Sequence, residues 1–171
     1  VPVTAYSLAP THSLSLLPPR DDDQLADFLI AMIGLLDGVR LTRDGWSHFY
    51  KTPLARHTLS DIVVGDRELM EVLRIATTFW LDAPTEVRVR IFGVVHWALF
   101  SGLYEHDFER FGASYGALDA LYAVHALLGR PSFRGHAGRA AGLATYYSMP
   151  VPQWAIMVNG SCALAELRNE L

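Results

Sequence analysis

The strongest pattern in this sequence is a run of large side chains spaced alternately three and four residues apart. The run comprises Phe108, Phe111, Tyr115, Leu118, Tyr122 and His125. Because an α-helix turns once in about 3.6 residues, side chains with this spacing lie on one face. The pattern therefore predicts an amphipathic helix with a seam like that of a coiled coil, ending at Gly129 and Pro131.

Small residues lie beside this seam, on an adjoining face of the same helix. Gly112 and Gly116 are four residues apart, and they are flanked by Ala113, Ala117 and Ala120. Side chains this small let a neighbouring helix approach closely. We expect the face that includes Gly112 and Gly116 to pair two copies of the chain in a homodimer.

Three earlier helices are predicted from capping residues and apolar spacing. The first begins after Asp21-Asp22-Asp23, which suit a helix N-terminus, and ends at Asp37-Gly38; its nearly all-apolar sequence predicts a central, buried helix. Asp66 opens the second. The third is predicted over 85–104, although its first residues, Val87 to Ile91, alternate as a strand does.

The remaining segments complete an all-α fold. Residues 132–149 are expected to form a loop and a short helix, and Pro152 suits the first turn of a last helix that reaches the end of the chain. We therefore predict an up-and-down bundle of about five to six helices over 21–171, cut short in its last helix. Residues 1–20 contain four prolines and are predicted to be an extended arm or the end of an upstream region.

Composition restricts the possible partners. Hydrophobic residues make up 51% of the 171 residues and charged residues 19%, which predicts both an all-buried central helix and an apolar surface that another subunit covers. The net charge of −4 gives no support for binding duplex DNA, which usually needs a basic face.

The longest apolar run and the single cysteine indicate the cellular compartment in which the protein is expected. Ile91 to Leu103 is shorter than the roughly 20 residues of a membrane span, so no membrane partner is expected. Cys162 cannot form an internal disulfide, and it fits a reducing compartment. We expect a cytoplasmic protein.

The histidines do not show the spacing of a metal site. None of the seven lies in a His-Glu-x-x-His arrangement, and the sequence has neither a phosphate-binding glycine loop nor a dinucleotide fingerprint. No metal and no cofactor are therefore expected. His125 continues the apolar seam and is interpreted as a core residue with satisfied hydrogen bonds.

Arg168 is the residue most open to a chemical role. In the predicted last helix it lies on the flank of the apolar side chains, where an arginine often has a structural task. It could cap the helix C-terminus or pair with a carboxylate such as Glu166 or Asp119. The residues alone leave this alternative open.

The terminal string Leu167-Arg168-Asn169-Glu170-Leu171 resembles the opening of the Arg-Asn-x-x-x-His motif of HEPN domains (higher eukaryote and prokaryote nucleotide-binding). The order of helices over 21–171 is also similar to theirs. The resemblance implies a dimeric helical bundle, often a metal-independent endoribonuclease of toxin or defence type acting on single-stranded RNA. It implies that Arg168 is a catalytic residue that stabilises phosphate charge, and that Asn169 orients the groups around it.

Metal-independent RNA cleavage also needs a base that activates the ribose 2′-hydroxyl. The histidine that the motif places about five residues after Arg168 is absent, since the sequence ends at Leu171. A second hypothesis is therefore a non-catalytic module of the same architecture that senses a ligand or mediates assembly. Its basis is the apolar composition and the small-residue face.

Overall fold

The computed structural model describes residues 14–15, 22–38, 41 and 65–170. Helix accounts for 74% of these residues, which form six α-helices and no strand, so the predicted all-α fold is confirmed. The predicted N-terminal arm, 1–20, lies outside the described residues apart from Leu14 and Ser15, which are both exposed.

Most of the helices begin and end close to the positions predicted from the sequence. They are α1 (Asp23–Asp37), α2 (Asp66–Asp82), α3 (Thr85–Ser101), α4 (Asp107–Leu127), α5 (Gly135–Tyr146) and α6 (Ala163–Glu170). At the start of α1 the Asp22 carboxylate accepts from the Leu25 amide at 2.9 Å, which satisfies one of the free N–H groups of a helix N-terminus. At its end Gly38 has a φ of 64°, a conformation that favours glycine.

The largest apolar core lies between α1, α2 and α3. Phe28 of α1 stacks on Trp80 of α2, with ring centroids 4.7 Å apart, and Phe92 of α3 meets both rings edge-on. Leu25 and Trp80 are almost completely buried. Within the described residues α1 packs mainly against α2 and α3, and the prediction that it lies at the centre of the bundle depends also on segments outside the described residues.

The α2–α3 junction shows why the alternating residues after Pro84 form a helix. Pro84 precedes the first turn of α3, where its missing N–H costs nothing. Arg88 then reaches back along the chain, and its Nε donates to the Ala83 carbonyl at 2.8 Å. Only Val87 of the alternating residues is buried. α3 ends at Ser101 rather than Tyr104, and the Gly102 amide donates to the Leu99 carbonyl at 3.3 Å, which tightens the last turn.

α3 and α4 pack side by side over most of their length and run antiparallel. Val87, near the start of α3, clusters with Val124, near the end of α4. Farther along, a Cβ at Gly116 would lie 4.0 Å from the Trp97 side chain. The small residues of α4 therefore let α3, in the same chain, approach closely.

The seam predicted on α4 is not the stripe that α3 buries. The buried residues of α4 outside the predicted seam are Ala113, Ala117 and Val124; of the seam only His125 is buried, and Phe108 is 59% exposed. The small side chains form the close contact because their backbone can come nearer to a neighbouring helix. Of the seam tyrosines, Tyr115 contacts His136 of α5 through its hydroxyl, and Tyr122 donates to the Phe133 carbonyl in the loop before α5.

The last helix begins later than predicted. Pro152 starts only a short 3₁₀ turn, Gln153–Ala155. A tight turn follows, in which Asn159 and Gly160 both have positive φ and Val158 pairs with Ser161. Such a conformation cannot continue a helix, so α6 begins only at Ala163.

The described helices differ from membrane spans. Across the part of the chain that the structure describes, none combines the length and the apolar character that crossing a bilayer requires.

Candidate functional site

Arg168 lies on the exposed surface of α6 and faces an aromatic ring of α4. Its Cζ is 5.9 Å from the centroid of the Tyr115 ring, within the distance of a cation–π interaction. Among the described residues it forms no ion pair, so the alternative of a bond to Glu166 or Asp119 does not hold within them. Asn169 is also exposed.

Tyr115 connects Arg168 to a histidine. Its hydroxyl lies 2.8 Å from Nδ1 of His136, near the start of α5. Both side chains are half-buried, so each keeps an edge toward solvent. Three helices thus bring an arginine, a tyrosine and a histidine into one continuous contact; we call Tyr115, Asp119, His136, Arg139 and Arg168 the polar cluster.

The inner part of the polar cluster is an ion pair between helices. Nη1 of Arg139 on α5 donates to the Asp119 carboxylate on α4 at 2.6 Å. The Arg139 guanidinium also lies over the Tyr122 ring, with Cζ 4.5 Å from its centroid. Arg139 is therefore held in place, whereas Arg168 remains exposed and available to a ligand.

The hydrogen bonds around His136 determine which of its nitrogens carries the proton. Nη1 of Arg139 lies 3.1 Å from Nδ1, and a guanidinium can only donate. We therefore assign a lone pair to Nδ1 and the proton of the neutral ring to Nε2. The Tyr115 hydroxyl then donates to Nδ1 as well and shares its one lone pair with Arg139, while the phenolic oxygen keeps lone pairs that can accept.

Burial and charge both act on the Tyr115 phenol. Burial raises its pKa above the ordinary 10.0, and the Asp119 carboxylate raises it further. Arg168 and Arg139 act in the opposite direction but do not cancel this rise. The hydroxyl therefore keeps its proton at neutral pH, so it is a hydrogen-bond donor to His136 there.

His125 was predicted to be a satisfied core residue, and that prediction is confirmed. It is 1% exposed. Its Nε2 lies 2.9 Å from the Pro131 carbonyl and its Nδ1 3.2 Å from the Tyr147 hydroxyl. Since both nitrogens are used inside the protein, His125 is not accessible to a ligand.

The acidic and histidine side chains do not converge as they do in metal sites. In the described ranges there is no group of three or more His, Cys, Asp or Glu residues placed to hold an ion. The Cys162 thiol is buried and donates to the Ala137 carbonyl at 3.5 Å. Its contacts are those of a packed side chain.

Most of the polar cluster could not be recognised from the sequence. The terminal motif points to Arg168, but the spacing predicts Tyr115 as part of an apolar seam, and no pattern assigns a role to His136 or Arg139. A weak signal was present, because Tyr115 and Asp119 are four apart on α4 and His136 and Arg139 three apart on α5. Their convergence depends on how α5 packs on α4.

The two glycines of the α4 face that is predicted to pair two copies have different surroundings. Gly116 lies against Trp97 of α3, and so is partly used within the chain. A Cβ at Gly112 would meet no other atom within 4 Å, and Gly112 is exposed. Within the described residues, only the Gly112 end of this face remains open to a second copy.

No protein-family model, curated protein or solved structure matches this chain. The chemistry of the polar cluster must therefore be judged from its own geometry. An exposed guanidinium can bind a phosphate oxygen pair, and the adjoining phenol and imidazole can exchange a proton. This combination suits a phosphodiester better than an uncharged ligand.

Proposed function

We propose that this chain is a HEPN-like, metal-independent endoribonuclease domain that cleaves single-stranded RNA at the polar cluster. The observation that carries the proposal is the position of Arg168, exposed and 5.9 Å from the ring of Tyr115, whose hydroxyl contacts a histidine. Arg168 supplies the cation that stabilises the extra negative charge on the phosphate in the transition state.

The geometry favours RNA over duplex DNA as the substrate. RNA carries its own nucleophile, the 2′-hydroxyl, so a site with a cation and a proton acceptor can cleave it without a metal. The attack forms a 2′,3′-cyclic phosphate and releases a 5′-hydroxyl. The net charge of −4 disfavours tight binding to a duplex, whose phosphates need a basic face.

We infer the oligomeric state and the cellular role of the domain from its resemblance to HEPN domains. The domain acts as a cytoplasmic homodimer of toxin or defence type, and the open Gly112 end of α4 contributes to the dimer contact. Asn169, exposed beside Arg168, orients the groups around it. No cofactor takes part in this scheme.

The test measures cleavage of a labelled single-stranded RNA in EDTA by the wild type and by Arg168→Ala. Removal of one charge-stabilising donor should lower the rate by about 100-fold or more. Arg67→Ala is the matched control, because Arg67 is an exposed arginine on α2 and leaves the polar cluster intact. Equal cleavage by wild type and Arg168→Ala, or none by the wild type, contradicts the proposal.

A second function is supported by a separate surface. Several large apolar side chains after α5 are 37–64% exposed: Tyr147, Met149, Val151, Trp154, Ile156, Met157 and Val158. A concentration of this kind is typical of surfaces that bind another protein. A non-catalytic assembly or ligand-sensing module would show a dimer or larger complex in sedimentation at micromolar concentration and no RNA cleavage.

A further inference from the structure

The acidic residues of this chain are unevenly distributed along the sequence. The whole chain has 18 acidic residues and a net charge of −4, yet residues 120–165 contain neither Asp nor Glu. The same stretch contains Arg130, Arg134 and Arg139. It comprises the end of α4, the loop after it and α5, so the part of the chain that borders the polar cluster is basic. A local surplus of positive charge attracts anions even in an acidic protein.

Two of these arginines are available to a ligand. Arg130 and Arg134 lie in the loop between α4 and α5, and both are exposed. Within the described residues neither forms an ion pair. The third, Arg139, is instead bound to Asp119 at 2.6 Å, so this carboxylate is neutralised and does not offset the charge of the loop.

Hydrogen bonds to α4 hold this loop in a fixed position. The Tyr122 hydroxyl accepts from the Phe133 amide at 3.1 Å and donates to the Phe133 carbonyl at 3.3 Å. The Pro131 carbonyl lies 2.9 Å from Nε2 of the buried His125, on which the Phe133 ring also stacks. Because the backbone is already ordered, a ligand that binds the loop loses less of its affinity to ordering it.

The loop lies beside the residues that surround Arg168. Arg134 directly precedes α5 and is two residues before His136, so their Cα atoms are within about 7 Å of each other. His136 contacts Tyr115, whose ring faces Arg168. The loop and Arg168 therefore border the polar cluster together, from the start of α5 and from α6.

The carboxylates of α6 leave the charge of Arg168 exposed. Glu166 and Glu170 are each two residues away from it, and side chains at this spacing do not face each other on a helix. Neither pairs with Arg168 within the described residues. Arg168 and the loop arginines can therefore act on one anionic chain.

We propose that the α4–α5 loop is the substrate-binding subsite of this domain, in which Arg130 and Arg134 bind phosphates of single-stranded RNA that neighbour the one held by Arg168; this inference rests on the proposed ribonuclease function. Each guanidinium donates two hydrogen bonds to a phosphate, which suits its planar shape. A flexible single strand can follow cations on a short loop, whereas a duplex requires a wider basic face.

The test measures binding of a fluorescent 2′-O-methyl oligoribonucleotide, which cannot be cleaved because its 2′-oxygen is blocked. Wild type and the double variant Arg130→Ala/Arg134→Ala are compared by anisotropy between about 50 mM and 200 mM salt. The double variant should bind about tenfold more weakly at the lower salt concentration. Its plot of log affinity against log salt should be shallower by about 1.4, since each phosphate contact of a single strand contributes about 0.7.

The double variant Arg67→Ala/Arg90→Ala is the matched control. Both arginines are exposed, on α2 and α3, and their removal changes the net charge by the same amount. This variant should keep the wild-type slope. If the two double variants lose equal affinity and slope, net charge rather than the loop governs binding, and the inference is wrong.

Tyr122→Phe separates the position of the loop from its charge. It removes the hydroxyl that holds Phe133 and keeps both loop arginines. Binding should weaken by about threefold while the salt slope stays that of the wild type, because the loop must now be ordered when RNA binds. Wild-type affinity in a Tyr122→Phe variant would contradict the fixed loop.

The outcomes distinguish this inference from the function on which it rests. If cleavage depends on Arg168 but the loop double variant keeps wild-type affinity and slope, the ribonuclease stands and the role of the loop is wrong. If the loop variant shows the expected losses but the wild type cleaves no RNA in EDTA, the loop binds RNA and the cleavage proposal fails. If the wild type binds no single-stranded RNA, both fail.

Discussion

Arg139 and Asp119 join α5 to α4 through a 2.6 Å ion pair, although they are 20 residues apart in the chain. Their side chains are 24% and 39% exposed, between a surface pair and a buried one. We expect a double-mutant cycle with Arg139→Ala and Asp119→Asn to give a coupling free energy of about 1 kcal/mol, measured by urea unfolding.

A matched pair tests whether the link between helices is the cause. Arg110 and Asp107 are both on α4, 3.5 Å apart, and Asp107 is 98% exposed. Because solvent screens such a pair, the cycle with Arg110→Ala and Asp107→Asn should give about zero. Equal coupling in the two cycles would show that the Arg139–Asp119 contact adds nothing.

Tyr115 should make the stability of the fold depend on high pH. Burial raises the pKa of its phenol above 10.0, so the folded chain holds this proton more tightly than the unfolded chain does. The corresponding stability is fully present below pH 10 and is lost as the pH rises through the folded pKa.

This prediction is measured by comparing the wild type with Tyr115→Phe. The difference between their free energies of unfolding should be constant from pH 7 to pH 9 and should shrink, in favour of the variant, between pH 10 and pH 11. The other tyrosines are common to both chains and cancel. A difference that does not change with pH would contradict the tighter proton binding.

Gly142 leaves the space that the Phe133 ring occupies. A Cβ at Gly142 would lie 2.6 Å from Cδ1 of Phe133, and this ring stacks on His125 at 5.1 Å. Gly142→Ala should therefore destabilise the fold by about 1–3 kcal/mol through overpacking, measured as the shift in free energy of unfolding.

Gly138, one turn earlier on α5, provides the control. A Cβ there meets no other atom within 4 Å. Gly138→Ala should stabilise the protein by up to about 1 kcal/mol, since alanine favours a helix more than glycine does. If both substitutions have the same sign, helix propensity rather than the Phe133 contact controls the result at Gly142.

Local chemistry in the sequence was enough to predict most helices of the fold. The Asp22 carboxylate and the Gly38 turn define α1, and Pro84 marks the start of α3. These signals act within a few residues, so no knowledge of the rest of the chain is needed. The prediction after Pro152 was wrong, because the positive φ values of Asn159 and Gly160 end any helix that begins there.

The face of α4 that is buried could not be chosen by spacing alone. The large seam residues and the small residues both repeat with a helical period, so the sequence predicts a helix contact on each of the two faces. In the structure Ala113 and Ala117 lie against α3, which leaves Tyr115 and Asp119 free to meet α5. The small side chains of α4 are buried because they let the backbones of α3 and α4 come close together.

The sequence by itself was enough to predict an all-α chain and most of its helices. It also indicated Arg168 as the residue most open to a chemical role. Only the tertiary structure decided that Arg168 faces Tyr115, which is 53 positions earlier, and that Tyr115 contacts His136. The reason is physical. A helix signal depends on neighbours within one turn, whereas a polar cluster depends on the angle and register at which separate helices pack.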